Sequence, residues 1–176
     1  MSASADPNLH QPDWDMEMPE PPFRARAMRA AHRARAEELG ATLYELESGG
    51  AVSLYHLHHG NEELVVVLDG RPTLRTPEGT RRLEPGAVVA FPRGKRGAHR
   101  VTNATDAPVR VLIVSTMHFP EVAEHGDTGA ILAMTGPGSG WAFPPGADVP
   151  FLQNVMAAME AGAAHEHERE DEEDTA

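Results

Sequence analysis

The sequence predicts an all-β protein built as one barrel or sandwich, and three observations carry that prediction. After Gly40 the apolar residues recur with a period of two in short runs rich in Val, Leu and Thr, the pattern of half-buried strands. Turn signals separate the runs at short intervals: Ser48-Gly49-Gly50, Asp69-Gly70, Pro77-Glu78-Gly79, Glu84-Pro85-Gly86, Pro92-Arg93-Gly94 and Thr105-Asp106. The 176 residues include 16 Gly and 15 Pro, which suits many strands and turns around one domain-sized core better than a helical bundle.

In chain order, residues 1–22 are acidic and broken by proline, and read as a disordered or loosely laid arm. Packing of Trp14 or Met16 on a neighbouring subunit is the other reading of this arm. It lacks the basic and apolar regions of a signal peptide. FRARAMRAAHRARAEELG, residues 23–40, joins strong helix formers to Gly40 as a C-cap. Its apolar face (Phe23, Met28, Leu39) is thin, so a short amphipathic helix and a strand–turn segment both fit. Strands are expected at about 41–47, 51–58, 62–68, 71–76, 80–83, 87–91, 98–103 and 108–116, in a barrel domain over 23–135. Beyond Met117 the pattern weakens into a long Gly- and Pro-rich loop with one extra strand near Ile131. Residues 136–162 read as loop and a short helix, with Phe151, Val155, Met156 and Met159 at helical spacing on a face packed against the barrel. Residues 163–176 form an acidic tail, whose His165 and His167 have no strand to fix them for a metal.

Composition limits the chemistry. With no cysteine, a metal must sit on imidazole, carboxylate and water, which excludes zinc ribbons and iron–sulfur clusters. A net charge of −12 argues against a nucleic-acid partner. No segment has the length of a membrane span, so a cytoplasmic protein without a membrane partner is expected.

The chemistry concentrates in GAVSLYHLHHGNEELVVVLDG, residues 50–70. On a strand, side chains alternate faces, so His56 and His58 point one way and Tyr55 and Leu57 the other. The turn His59-Gly60-Asn61 reverses the chain and brings Glu63, at the start of the next strand, toward the same point. By the same parity His59 belongs at the rim and Glu62 in solvent. His99 and Asn103, on a third strand, are the next candidates. Four such polar groups inside a barrel need partners: a metal, or one another as a hydrogen-bonded cluster. Val52, Leu54, Val65, Val67 and Val101 share the inward parity and form apolar walls. Thr116 and His118 are the other polar candidates, and neither is a clear general base.

These two segments resemble the cupin superfamily, whose first motif reads G-x5-H-x-H-x3–4-E-x6-G. Gly50, His56, His58, Glu63 and Gly70 match each position. The second motif, G-x5-P-x-G-x2-H-x3-N, is matched by Gly86, Pro92, Gly94, His99 and Asn103, except that four residues rather than two separate Gly94 from His99. An outward bulge at Lys95-Arg96-Gly97 would leave His99 in register. The resemblance covers about residues 40–116 and extends to small single-domain bacterial cupins. It implies a jelly-roll barrel holding one divalent transition metal (Fe, Mn, Zn, Ni or Cu) on His56, His58, Glu63 and His99, with a small-molecule ligand or substrate and a homodimer as the assembly. Superfamily membership leaves the reaction open. Dioxygenase-type oxidation is the leading expectation; a non-catalytic binding module and a metal-dependent isomerase or decarboxylase are the alternatives.

Overall fold

A computed structural model of the chain describes residues 6–146 and Met156. The helix expected within 136–162 and the acidic tail fall, apart from Met156, outside the described residues. Among the described residues, thirteen strands run in the order β1 Met16–Met18, β2 Ala25–Met28, β3 Leu39–Leu46, β4 His56–His58, β5 Glu63–Asp69, β6 Thr73–Thr76, β7 Gly79–Arg82, β8 Val88–Phe91, β9 Arg100–Thr102, β10 Val109–Thr116, β11 Glu121–His125, β12 Ala130–Gly136 and β13 Ser139–Phe143. One helical turn, α1, spans Ala30–Arg33, and a 3-10 turn spans Lys95–Gly97.

Two sheets face each other. One has the strand order β1-β2-β3-β10-β5-β8, and all its pairings are antiparallel. The other consists of β13-β12-β11-β4 and β7-β6-β9, joined by bridges between His56 and His99 and between Ala51 and Thr102. Leu46, Val65, Val67, Val111 and Ile113 from the first sheet pack with Leu74, Leu83 and Val101 from the second side. The inward positions at alternate residues are therefore the apolar ones, as the period-two pattern requires.

The first sheet is covered on its outer face as well. Met28, Ala30 and Leu43 form a second buried cluster, with Leu9, Trp14, Leu68 and Leu112 packed against it. This corrects the reading of residues 1–22 as a loose arm for the part described here. Met16–Met18 pairs with Ala25–Met28, and Asp13 and Asp15 hold Arg33 at 2.8 and 2.7 Å. Trp14 packs within this chain, with the Arg26 guanidinium 4.7 Å from its ring centre. The Ala- and Arg-rich stretch is strand, one helical turn and then strand. Its strand half follows the alternation of buried Ala25 and Ala27 with solvent-facing Arg26, which helix propensity alone does not weigh.

Two strand boundaries differ from expectation for local reasons. Residues 51–55 bend rather than extending β4: Gly50 sits where a Cβ would run into the Phe23 and Arg24 carbonyls. The chain meets the sheet through the single bridge of Ala51 to Thr102 and pairs as a strand only from His56. Past Met117, three strands stand where one was expected, near Ile131. Glu121–His125 is charged and weak in β propensity, and its pairing with β4 and β12 decides its state. Among the described residues, no helix is long and apolar enough to cross a membrane.

Candidate metal centre

The four residues singled out from the sequence meet at one atom. Glu63 Oε2 lies 3.6 Å from His56 Nε2, 3.3 Å from His58 Nε2 and 3.3 Å from His99 Nε2. His56, His58 and Glu63 each offer a ligand atom within 4.8 Å of the others. His99 falls outside that mutual set, yet it meets the same carboxylate oxygen from the neighbouring strand. Strand geometry explains the convergence. His56 and His58 project from one face of β4, His99 is bridged to His56 across the strand gap, and Glu63 opens β5 on the opposing sheet.

Each ring is held from behind through Nδ1. His56 Nδ1 is 2.9 Å from the Leu54 carbonyl and 3.1 Å from Ser53 Oγ. His99 Nδ1 donates to the Gly97 carbonyl at 2.8 Å. His58 Nδ1 faces Glu121 Oε1 at 3.3 Å. These contacts leave all three Nε2 atoms aimed at one point, which is the arrangement metal-ligating imidazoles need. Phe91 stacks on His99 at 3.7 Å with only 5° between the planes, fixing the ring's tilt. The extra residues before His99 are taken up by the 3-10 turn. Lys95 and Arg96 stay exposed while Gly97 is buried so close to the Pro92 carbonyl that a Cβ could not be accommodated. The register of His99 survives the insertion.

Electrostatics follow from this packing. Burial alone would push the Glu63 carboxyl up, but hydrogen bonds from His56, His58 and His99 outweigh it and hold the group far below the carboxylate range. Burial would lower His58; Glu63 and Glu121 on either side more than reverse that and raise it. The donor set is one carboxylate oxygen and three imidazole nitrogens, all half-buried or buried; Phe91 packs on His99, and Val65 and Ile113 are core residues paired across the sheet that carries Glu63. Its chemistry fits a divalent transition metal, and it lacks the thiolates of a closed structural zinc site.

Other expectations also find their places. His59 is exposed and pairs with Glu124 at 2.6 Å, Glu62 is exposed, and Val65, Val67 and Val101 are buried. Asn103 is fully buried but structural: it bonds the Leu46 and Ala107 carbonyls and Thr105, away from the four ligands. Thr116 bonds Asn61, and His118 sits beside Arg93.

Three polar groups near the centre were not anticipated. Glu121 is 2% exposed and touches His58. His125 is the register partner of His56 across β4 and β11, so the two side chains share a face. Burial, with the charge on His56 adding to it, lowers His125 from its ordinary value. Burial and the Glu63 charge push the Tyr44 hydroxyl up, so it keeps its proton. The spacing Glu121-Ala123-His125, every second residue, was the available signal; it lay in a stretch too charged to read as a strand.

Comparison with known proteins agrees with this geometry. A family model for the Cupin domain matches residues 42–115, from β3 through β10. A structure described as a sugar phosphate isomerase from a cupin superfamily, from Silicibacter pomeroyi, superposes with a TM-score of 0.69 at 25% identity, covering 82% of this chain and 96% of that one. A putative sugar phosphate isomerase from Acidithiobacillus ferrooxidans superposes with a TM-score of 0.68 at 23% identity, covering 78% of this chain and 86% of that one. No curated protein matches the chain. The family match, the barrel and the structural likeness agree, and residues 42–115 of this chain form a cupin domain.

Proposed function

We propose that this chain is a metal-dependent enzyme acting on a small organic molecule, with His56, His58, Glu63 and His99 as ligands of one divalent transition metal. The observation that carries the reading is the meeting of three Nε2 atoms around one carboxylate oxygen, each ring already anchored through Nδ1. Four protein ligands leave one or two places for water or substrate oxygens on a five- or six-coordinate ion. When bound, the metal supplies Lewis acidity toward those oxygens, or a route to dioxygen.

Among reactions, we favour metal-dependent isomerisation of a hydroxy-carbonyl compound, with sugar phosphates as the substrate class. Two observations support it. The inner face offers a neutral imidazole at His125, beside His56, and a protonated hydroxyl at Tyr44, the proton-handling groups such a reaction needs. The similar protein from Silicibacter pomeroyi is described as a sugar phosphate isomerase. In this role His125 removes the proton from the hydroxyl-bearing carbon beside the carbonyl and returns it to the former carbonyl carbon. The Tyr44 hydroxyl gives its proton to the carbonyl oxygen and takes back the one that the neighbouring hydroxyl gives up. Val65, Ile113 and Phe91, all buried, keep the surroundings of the centre apolar. The same apolar walls favour dioxygenase-type oxidation as the second reading. A soluble, cytoplasmic homodimer remains the expected assembly under either.

The test has two stages. Elemental analysis of tag-free protein purified without chelator is expected to give about one metal per chain, lost in His56→Ala. Full metal content in that variant overturns the site. Incubation of the loaded protein with aldose and ketose phosphates is expected to interconvert them, with His125→Ala keeping its metal and losing turnover. Oxygen uptake without interconversion selects the second reading, and neither activity with metal retained leaves a binding module.

A further inference from the structure

We propose that Glu121 is a positioning residue of the metal centre, so that a strand lying beyond the matched cupin domain fixes the orientation of His58 and sets how tightly the metal is held. This rests on the metal-site reading above.

Two of the three rings are oriented by backbone carbonyls two residues earlier, Leu54 for His56 and Gly97 for His99, contacts that come with the local turn. His58 differs. Its Nδ1 faces a buried carboxylate from β11, which lies outside the matched span 42–115. A carboxylate behind an imidazole keeps the proton on Nδ1 and strengthens the opposite nitrogen as a donor to metal.

Glu121 is itself held in a socket. Its Oε1 accepts the His59 backbone N–H at 3.1 Å, and its Oε2 accepts Asn61 Nδ2 at 2.6 Å. Asn61 cannot turn over, because its Oδ1 takes the Thr116 hydroxyl at 3.0 Å and the His118 N–H at 2.8 Å. Its Nδ2 also donates to the His118 carbonyl at 3.0 Å. Gly60 completes the socket: a Cβ there would collide with Glu121 Oε2, while the next neighbours, at 3.5 and 3.7 Å, are in ordinary contact. The glycine in the turn between the second histidine and the ligand glutamate thus makes room for Glu121.

This arrangement predicts what Glu121→Gln does. With its oxygen on the His58 side, the new amide sets its NH2 against the locked Asn61 NH2, across the shortest contact of the socket. With its oxygen toward Asn61, it presents NH2 to His58 Nδ1 and forces that ring's proton onto the metal-facing nitrogen. Either way His58 loses its acceptor or the socket loses its fit.

The experiment titrates metal-free full-length protein with Co(II) by calorimetry, in wild type, Glu121→Gln and Gly60→Ala. Thermal unfolding establishes that each is folded, and proton NMR of the Co(II)-loaded proteins follows the exchangeable ring N–H signals. Both variants are expected to bind Co(II) about 10- to 100-fold more weakly. Both should lose or shift one ring N–H signal and keep the other two. Gly60→Ala leaves every ligand and Glu121 in the sequence, and serves where Glu121→Gln fails to fold. Variants that are less stable but bind Co(II) as tightly as wild type, with three unchanged ring N–H signals, overturn the proposal. A wild type that takes up no Co(II) overturns the metal site instead, a separate and recognisable outcome.

Discussion

Glu45→Gln should be among the most destabilising isosteric changes outside the metal centre. Glu45 sits near the end of β3 with its side chain 6% exposed, between Arg26 of β2 and Arg110 of β10, its direct register partners. Oε1 accepts from Arg26 Nε at 2.8 Å and Oε2 from Arg110 Nε at 2.6 Å. Glutamine keeps the shape but turns an NH2 toward one guanidinium and removes the charge facing both. Charge-assisted hydrogen bonds contribute about 1.5–3 kcal/mol each. The arginine side chains are 42% and 31% exposed, so solvent screening cuts that by about half. The expected loss is about 1.5–3 kcal/mol, a fall in Tm of about 3–12 °C for a chain of this size.

Urea unfolding is the assay, followed by tryptophan fluorescence, since Trp14 stacks on Arg26 and reports on this edge. The pH dependence is a second check. Burial would raise the Glu45 carboxyl, but Arg110 and Arg26 outweigh it and hold it below its ordinary value of 4.5. A carboxyl depressed on folding stabilises above its unfolded pKa, and that contribution is lost as pH falls through the folded value. The gap between wild type and Glu45→Gln should therefore be full at neutral pH, above the unfolded value, and close as pH falls through the lower folded value. A loss under about 0.5 kcal/mol at pH 7, or a gap that persists unchanged in acid, would refute the reasoning.

Two further outcomes test the packing around the barrel. Asn103→Ala should cost about 1–3 kcal/mol, because it strands the buried Leu46 carbonyl, while metal content per folded chain stays at the wild-type level; calorimetric unfolding beside elemental analysis reads both. Phe91→Ala opens a cavity beneath His99, with an expected loss of about 3–5 kcal/mol by denaturant titration and weaker metal binding because the ring's stacking partner is gone.

The sequence alone was enough to read the barrel and the four converging residues, because both depend on short-range rules. Alternation along a strand puts His56 and His58 on one face, and the spacing of Gly50, Glu63, Gly70 and His99 ties three strands to one motif. The eight strands expected between residues 41 and 116 all appear, with trimmed ends at β4, which follows a bend, and at β9, which follows the 3-10 turn. Tertiary structure decided the rest. The N-terminal segment is acidic and proline-rich, and only the exposed outer face of the first sheet gives Leu9 and Trp14 something to cover. Glu121–His125 has a strand's alternation but a solvated segment's composition. Its place beside β4 follows from edge pairing with a strand more than 60 residues earlier, a contact no local pattern encodes. Periodicity reports which way a side chain points, whereas which strand lies alongside is settled by burial summed over the whole chain.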